Sequence, residues 1–285
     1  MNSGTEIYKK KYLKYKMKYL KNIFSLDEKE KESIVVKMKY ANGDVYEGIM
    51  FKNSRHGQGI MKYANGDVFE GLWDENLRLD GTMNYANGNI YIGKWRKYKE
   101  YANGELVGDW IDSMSKGIMK YAKGGVYLGE WIKNERSGRG EMKYTYGDVY
   151  FGNWSDDKRY GKGIMEYVNG DKYEGEWVED KRTEGKLTYA NGNKYEGKWF
   201  QNKISEGKLT YPNGDIYEGH FLCNKKSYGK MIYKNKDINK DEEPSFWHWI
   251  DDIKYQGKIQ CLSNNKCYWI NNKNIQEYIK DQEDC

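Results

Sequence analysis

From residue 171 to residue 177 the chain reads Asp-Lys-Tyr-Glu-Gly-Glu-Trp. Tyr173, Gly175 and Trp177 fall on one side of an extended chain, and Lys172, Glu174 and Glu176 on the other, because successive side chains of a strand point to opposite faces. The preceding stretch behaves alike: Gly161, Gly163, Met165 and Tyr167 share one side, and Lys162, Ile164 and Glu166 the other. A helix would need apolar positions three and four apart and would be weakened by so many glycines. The pattern predicts strands with one aromatic-and-glycine face and one polar face.

The pattern repeats. An Asn-Gly element or its variant places a glycine at Gly43, Gly66, Gly88, Gly104, Gly124, Gly147, Gly170, Gly192 and Gly214, with Lys123 and Tyr146 standing for Asn in two copies. A second signature, aromatic-x-Gly-x-aromatic, follows it. It stands at Tyr46 and Gly48 (with Met50 last), then at Phe69, Gly71 and Trp73, at Tyr91, Gly93 and Trp95, and at Tyr127, Gly129 and Trp131. It continues at Tyr150, Gly152 and Trp154, at Tyr173, Gly175 and Trp177, at Tyr195, Gly197 and Trp199, and at Tyr217, Gly219 and Phe221. Asn-Gly between alternating runs predicts a type I′ hairpin turn. A lone hairpin is marginal, whereas stacked hairpins support one another through neighbour contacts. The expected fold is all-β: an elongated single-sheet array of about nine stacked antiparallel β-hairpins over residues 34–232. Only five residues separate Trp95 from Tyr101, against eleven between Trp73 and Tyr85. That predicts a defective unit at residues 96–105, short of one strand.

These units resemble MORN repeats, whose pattern is Tyr-x-Gly-x-Trp followed by Gly-x-Gly. The latter stands as Gly57-Gln58-Gly59, Gly138-Arg139-Gly140 and Gly161-Lys162-Gly163. The resemblance implies a twisted, groove-like sheet with roles in scaffolding, membrane apposition and sometimes anionic-lipid contact. The reading that follows is a non-enzymatic repeat scaffold mediating protein–protein interaction along an elongated β-groove. The alternative is a membrane-apposed adaptor. Homo-oligomers fit either reading.

Composition adds a thin core and removes several classes. The chain has 28 Tyr, 10 Trp and 32 Gly, and its hydrophobic share is 38%, below the roughly 45–50% of ordinary domains. No apolar run approaches the roughly 20 residues of a membrane-spanning helix. No secretory segment is expected. Cys223, Cys261, Cys267 and Cys285 are expected to be reduced thiols of an intracellular protein, cytoplasmic or peripheral to a membrane. Residues 33–232 are close to neutral, unlike the basic stripe of a nucleic-acid-binding domain.

Residues 1–33 form a basic segment and linker. Tyr8, Tyr12, Tyr15 and Tyr19 trace one seam of a predicted short amphipathic helix. Lys9, Lys10, Lys11, Lys14, Lys16, Lys18 and Lys21 make it a candidate contact for anionic lipid or another polyanion. Packing on the sheet end or a partner helix, and contact with nucleic acid, are the other readings of this helix. Tyr-Lys-Leu openings of this kind are similar to those of many proteins of giant DNA viruses, which implies virion or host cytoplasm as the location. Residues 233–285 are expected to cap the sheet edge or to form a small appended module, with strands near residues 246–250 and 254–262 and a short helix at residues 274–281.

Candidate chemistry is sparse. His56, His220 and His248 are far apart, and no cysteine pair has zinc-site spacing. Gly88 to Lys94 and Gly192 to Lys198 approach a Walker A motif but end before Trp, where Ser or Thr would be needed. Glu47, Glu70, Glu174, Glu196 and Glu218 read as a solvated ladder. No catalytic residue, metal or cofactor is expected. Function is expected in what differs between units, chiefly the loops at residues 133–137 and 156–160.

Overall fold

The computed structural model describes residues 33–102, residues 105–234 and the backbone of five short strands beyond them; side chains are described for residues 33–99 and 111–234. Every described element is a β-strand. The first are β1 (Ile34–Lys39), β2 (Val45–Phe51), β3 (Ser54–Lys62), β4 (Val68–Asp74), β5 (Leu77–Asn84), β6 (Ile90–Ala102) and β7 (Glu105–Lys120). They continue as β8 (Val126–Ile132), β9 (Glu135–Lys143), β10 (Val149–Ser155), β11 (Lys158–Glu166) and β12 (Lys172–Val178). The array ends with β13 (Lys181–Thr188), β14 (Lys194–Phe200), β15 (Lys203–Thr210), β16 (Ile216–Leu222) and β17 (Lys225–Ile232).

The chain divides into two compact units, residues 1–115 and 116–285. In the first, β1 to β6 pair in chain order, all antiparallel. In the second, the end of β7 pairs with β8, and β8 to β17 continue in the same way. Each unit is thus an open antiparallel meander.

The strands are joined by two kinds of turn, and their placement corrects the sequence reading. At Tyr40-Ala41-Asn42-Gly43, the Gly43 N–H donates to Tyr40 O at 3.0 Å and the Tyr40 N–H to Asp44 O at 2.8 Å. Only the glycine has positive φ, +93°. This is a three-residue loop with a glycine bulge, not a type I′ turn. The two-residue turns with both φ positive lie at the opposite end of the strands, for example Lys133-Asn134 (50° and 66°) and Asp156-Asp157 (49° and 63°). The expected variable loops at residues 133–137 and 156–160 are therefore tight turns followed at once by strand.

The hairpin count is also corrected. Seventeen strands stand where nine hairpins would give eighteen. Residues 96–102 are not a gap but the end of β6, 13 residues long, and β7 runs for 16. The short interval is taken up within these two long strands.

Beyond the array, β18 (Trp247–Ile250) pairs with β17, and β19 (Ile253–Tyr255) with β18. β20 (Lys258–Cys261), β21 (Cys267–Ile270) and β22 (Ile275–Tyr278) form a separate three-stranded sheet. β22 replaces the helix expected at residues 274–281; alternating Ile275, Glu277 and Gln276, Tyr278 suit a strand as well as a short helix. Cys223 is disulfide-bonded, against the expectation of reduced thiols. A count of cysteines does not show which turns and strands meet. The predicted N-terminal helix lies outside the described residues.

Candidate interaction surface

The inward face of each unit is a lattice of rings over glycine. Tyr46, Phe69, Tyr91, Tyr127, Tyr150, Tyr173, Tyr195 and Tyr217 are fully buried. Each tyrosine ring lies across the glycine two residues on, and its hydroxyl donates to the carbonyl of the residue after that glycine, as in Tyr150 Oη to Asn153 O at 3.0 Å and Tyr195 Oη to Lys198 O at 2.7 Å. The glycines pair with one another across strands, Gly48 with Gly59, Gly71 with Gly81, and Gly152 with Gly140 and Gly163. A row without side chains results, and the rings fill it. Trp154 stands edge-on to Tyr127 at 5.4 Å and to Tyr150 at 5.1 Å. Trp73, Trp95, Trp131, Trp177 and Trp199 repeat this placement, and Phe221 takes the last position. Edge-to-face pairs of this kind contribute roughly 0.5–1.5 kcal/mol each beyond buried area.

Sequence reasoning missed the arginines. Of seven in the chain, five occupy one repeat position, two residues after a two-residue turn: Arg55, Arg78, Arg136, Arg159 and Arg182. Each guanidinium lies over the Trp of the following unit, between 3.9 Å for Arg78 on Trp95 and 4.4 Å for Arg55 on Trp73. Each also grips the next turn. The Arg159 N–H and Nε donate to Asp180 Oδ1 at 3.0 and 2.7 Å, and its Nη2 to Asp180 O at 3.2 Å. Asn76 and Asp157 serve Arg55 and Arg136 in the same way, and Asn202 accepts from the N–H and Nη2 of Arg182. Beside the long β6, Arg78 instead finds Asp112, with Nε to Oδ2 at 2.8 Å and Nη2 to Oδ1 at 2.7 Å. Burial works to lower the pKa of Arg78, but Asp112 outweighs it and raises the value; Arg182, facing neutral Asn202, has its pKa lowered by burial. The signal was an arginine at fixed distance after five of the seven described two-residue turns, in segments that read as variable loop.

The outward face carries what differs between units. In the second unit one row reads Ile118, Leu128, Glu141, Phe151, Ile164, Glu174, Lys186, Glu196, Lys208, Glu218 and Lys230 from strand to strand. It begins mostly apolar and ends as alternating charges. Glu218 sits 3.0 Å from Lys230, and Glu174 2.7 Å from Lys172, as the solvated ladder requires. Phe151 is 51% exposed in the apolar half. Ile132, Val178 and Phe200, each just after a Trp, are exposed as well.

His56 Nδ1 meets Asp74 Oδ1 at 3.3 Å, and Lys97 Nζ bonds the other oxygen of Asp74 at 3.0 Å. Among the described residues no three His, Cys, Asp or Glu side chains converge as metal ligands, and no helix is long and apolar enough to cross a membrane. The two Walker-like stretches lie at the start of β6 and in β14, as strand and not as a loop opening a helix. Lys9, Lys10, Lys11, Lys14, Lys16, Lys18 and Lys21 are outside the described residues.

The family model of the MORN repeat matches residues 46–68, 127–149, 150–172, 173–194, 195–216 and 217–238. The chain carries MORN repeats. Among curated proteins none is similar enough to match it. Of solved structures, the TCP10 domain of Danio rerio CPAP in complex with a STIL peptide superposes with a TM-score of 0.39 at 9% identity, over 86% of this chain and 98% of that one. The TCP10c domain of Drosophila melanogaster Sas-4 gives 0.28 at 15% identity, over 66% and 97%. Likeness at these scores carries neither fold nor partner over to the MORN-repeat chain, and it does not bear on the source.

Proposed function

We propose that this MORN-repeat chain is a non-enzymatic scaffold that binds protein partners along its strand array. The carrying observation is the division of labour between the two faces. Positions that repeat are buried and hold the sheet, whereas positions that differ lie on the outward face; in the second unit they place Phe151 and half-buried Ile164 side by side on β10 and β11, with half-buried Leu128 of β8 beyond Glu141 of β9. A part-exposed apolar row interrupted and bordered by charge has the make-up of a protein contact. The adaptor reading rests on the sequence of the lysines between residues 9 and 21 alone.

Cross-linking of the full chain in its own cell, with mapping of the linked residues, tests this. The wild-type chain should link to other proteins around β8 to β11, and a Phe151→Glu, Ile164→Glu double variant with unchanged melting should lose those links. Links that persist in the variant, or recovery with anionic vesicles alone that disappears when residues 1–32 are removed, would count against the scaffold reading.

A further inference from the structure

The arginine ladder holds one end of the strands, and carboxylates link the turns at the other. At Asn42-Gly43-Asp44, Asn65-Gly66-Asp67, Asn169-Gly170-Asp171 and Asn213-Gly214-Asp215 the asparagine is held twice. Its Oδ1 accepts the aspartate N–H at 3.0–3.1 Å, and its Nδ2 donates to the carboxylate Oδ2 at 2.8–3.1 Å. The other carboxylate oxygen accepts a backbone N–H of the next turn, from Ala64, Ala86, Ala190 and Lys234 in that order. The clamp on each asparagine is thus anchored to the following unit.

Two turns differ. Asn87-Gly88-Asn89 and Asn191-Gly192-Asn193 end in an amide. Among the described residues, Asn87 and Asn191 keep the Oδ1 contact, at 2.9 and 3.0 Å, without the carboxylate clamp on Nδ2. At the second turn the reason is visible. Pro212 lies beside Gly192 as Ala190 lies beside Gly170. Proline has no N–H to give, so a carboxylate at residue 193 would find no link to the next turn.

An Asn-Gly pair is a place where the backbone can attack its own side chain, because glycine leaves its nitrogen open to close approach. The glycine nitrogen loses its proton to hydroxide and bonds to the asparagine Cγ. The Cγ–Nδ2 bond then breaks, and the leaving nitrogen takes a proton from water and departs as ammonia. Water opens the resulting succinimide at either carbonyl, giving aspartate or isoaspartate. To reach attack geometry the side chain must turn and release whatever its polar atoms hold. The glycine N–H is tied to a tyrosine carbonyl at 2.8–3.0 Å in all six turns, so that bond does not rank them. The carboxylate clamp does. Asn87 and Asn191 are exposed, so water and hydroxide reach both.

We propose that Asn191 is a deamidation site of the folded chain, with Asn87 the second, and that Asp44, Asp67, Asp171 and Asp215 shield the other four asparagines. Either product places a new negative charge between β13 and β14. Isoaspartate also adds a backbone atom to a loop closed by the Tyr189 N–H donating to Asn193 O at 2.9 Å. The proposal is independent of the scaffold reading.

The test incubates the full chain in mildly alkaline buffer and follows each Asn-Gly pair in its own tryptic peptide by mass spectrometry, with fragmentation to place the change. Asn191 and Asn87 should deamidate at least about fivefold faster than Asn42, Asn65, Asn169 and Asn213, the scale of one hydrogen bond to a charged group that must open before attack. Asn193→Asp should slow Asn191 by a similar factor, and Asp171→Asn should speed Asn169. In concentrated urea the six rates should converge, because the ranking comes from the folded turns. A rate at Asn191 no higher than at the four clamped turns, no response of Asn191 to Asn193→Asp, or the same ranking in urea would each overturn the proposal.

Discussion

Gly175 and Glu174 are neighbours with opposite duties. A Cβ on Gly175 would run into the Glu184 carbonyl, the Tyr173 hydroxyl and the Gly185 Cα, so none of its neighbours is the loose end of a flexible chain. Gly175→Val should therefore cost at least the roughly 1–3 kcal/mol of overpacking. Glu174→Val, losing only an exposed pair with Lys172, should stay within about 0.5 kcal/mol. Thermal melts of the two variants decide it, and a larger loss from Glu174→Val would reverse the faces. Arg159 joins Trp177, Tyr150 and Asp180. Arg159→Lys keeps the charge but loses the fork, so denaturant melts should show a loss of about 1–2 kcal/mol. The buried tyrosines add a pH dependence. Burial raises the pKa of Tyr46 to about 12, against a smaller lowering by Arg55, and burial likewise raises Tyr127, Tyr150, Tyr173 and Tyr195. These groups stay protonated in the folded chain after they would ionise in the unfolded one. Their contribution is whole below pH 10 and is lost as pH rises above it, through about 12 for Tyr46 and higher for the others. Tyrosinate absorbance and loss of circular dichroism should therefore rise together in that window; ionisation near pH 10 with the sheet intact would show these tyrosines to be solvated.

At the scale of the element, the two turns explain what could and could not be read. Period-two alternation gave both faces, because Tyr173, Gly175 and Trp177 leave a strand no other arrangement. The turn types came out reversed. Asn-Gly is the usual mark of a type I′ turn, but here the glycine serves as a bulge while Asn42 and Asp44 bond to each other. The real two-residue turns, Lys133-Asn134 and Asp156-Asp157, contain no glycine and so carry no strong local mark. They hold their shape because the second residue is always Asn or Asp, which tolerates positive φ and can receive the preceding arginine. That arginine is a contact about one repeat away, invisible to any reading of a local pattern. The turn residue without such a partner can be improved or broken. Lys133 has a φ of 50°. Lys133→Asn should stabilise by a few tenths of a kcal/mol, and Lys133→Val should destabilise by about 1–2 kcal/mol, as measured by denaturant midpoints at constant slope.

For the whole molecule, the boundary between compact units falls within β7, after residue 115, and not at the short repeat interval itself. Lys97 is tied to Asp74 and Glu75 inside β6. Native-state hydrogen exchange should show two protection levels that change between residues 111 and 120, with no opening centred on residues 96–99. Uniform protection from β2 to β17 would mean that the units open as one. The reach of the ladder has a further consequence. Arg136 meets a residue 21 positions ahead and Arg182 one 20 positions ahead, while each strand pairs with its immediate neighbour in sequence. Among the described residues, apart from the disulfide of Cys223, nothing in the array waits for a distant stretch of chain, and such low contact order favours rapid folding. A hairpin leaving the ribosome would find its docking site already built by the one before it, so the array can grow at the pace of translation, roughly one repeat every one to five seconds at 5–20 residues per second.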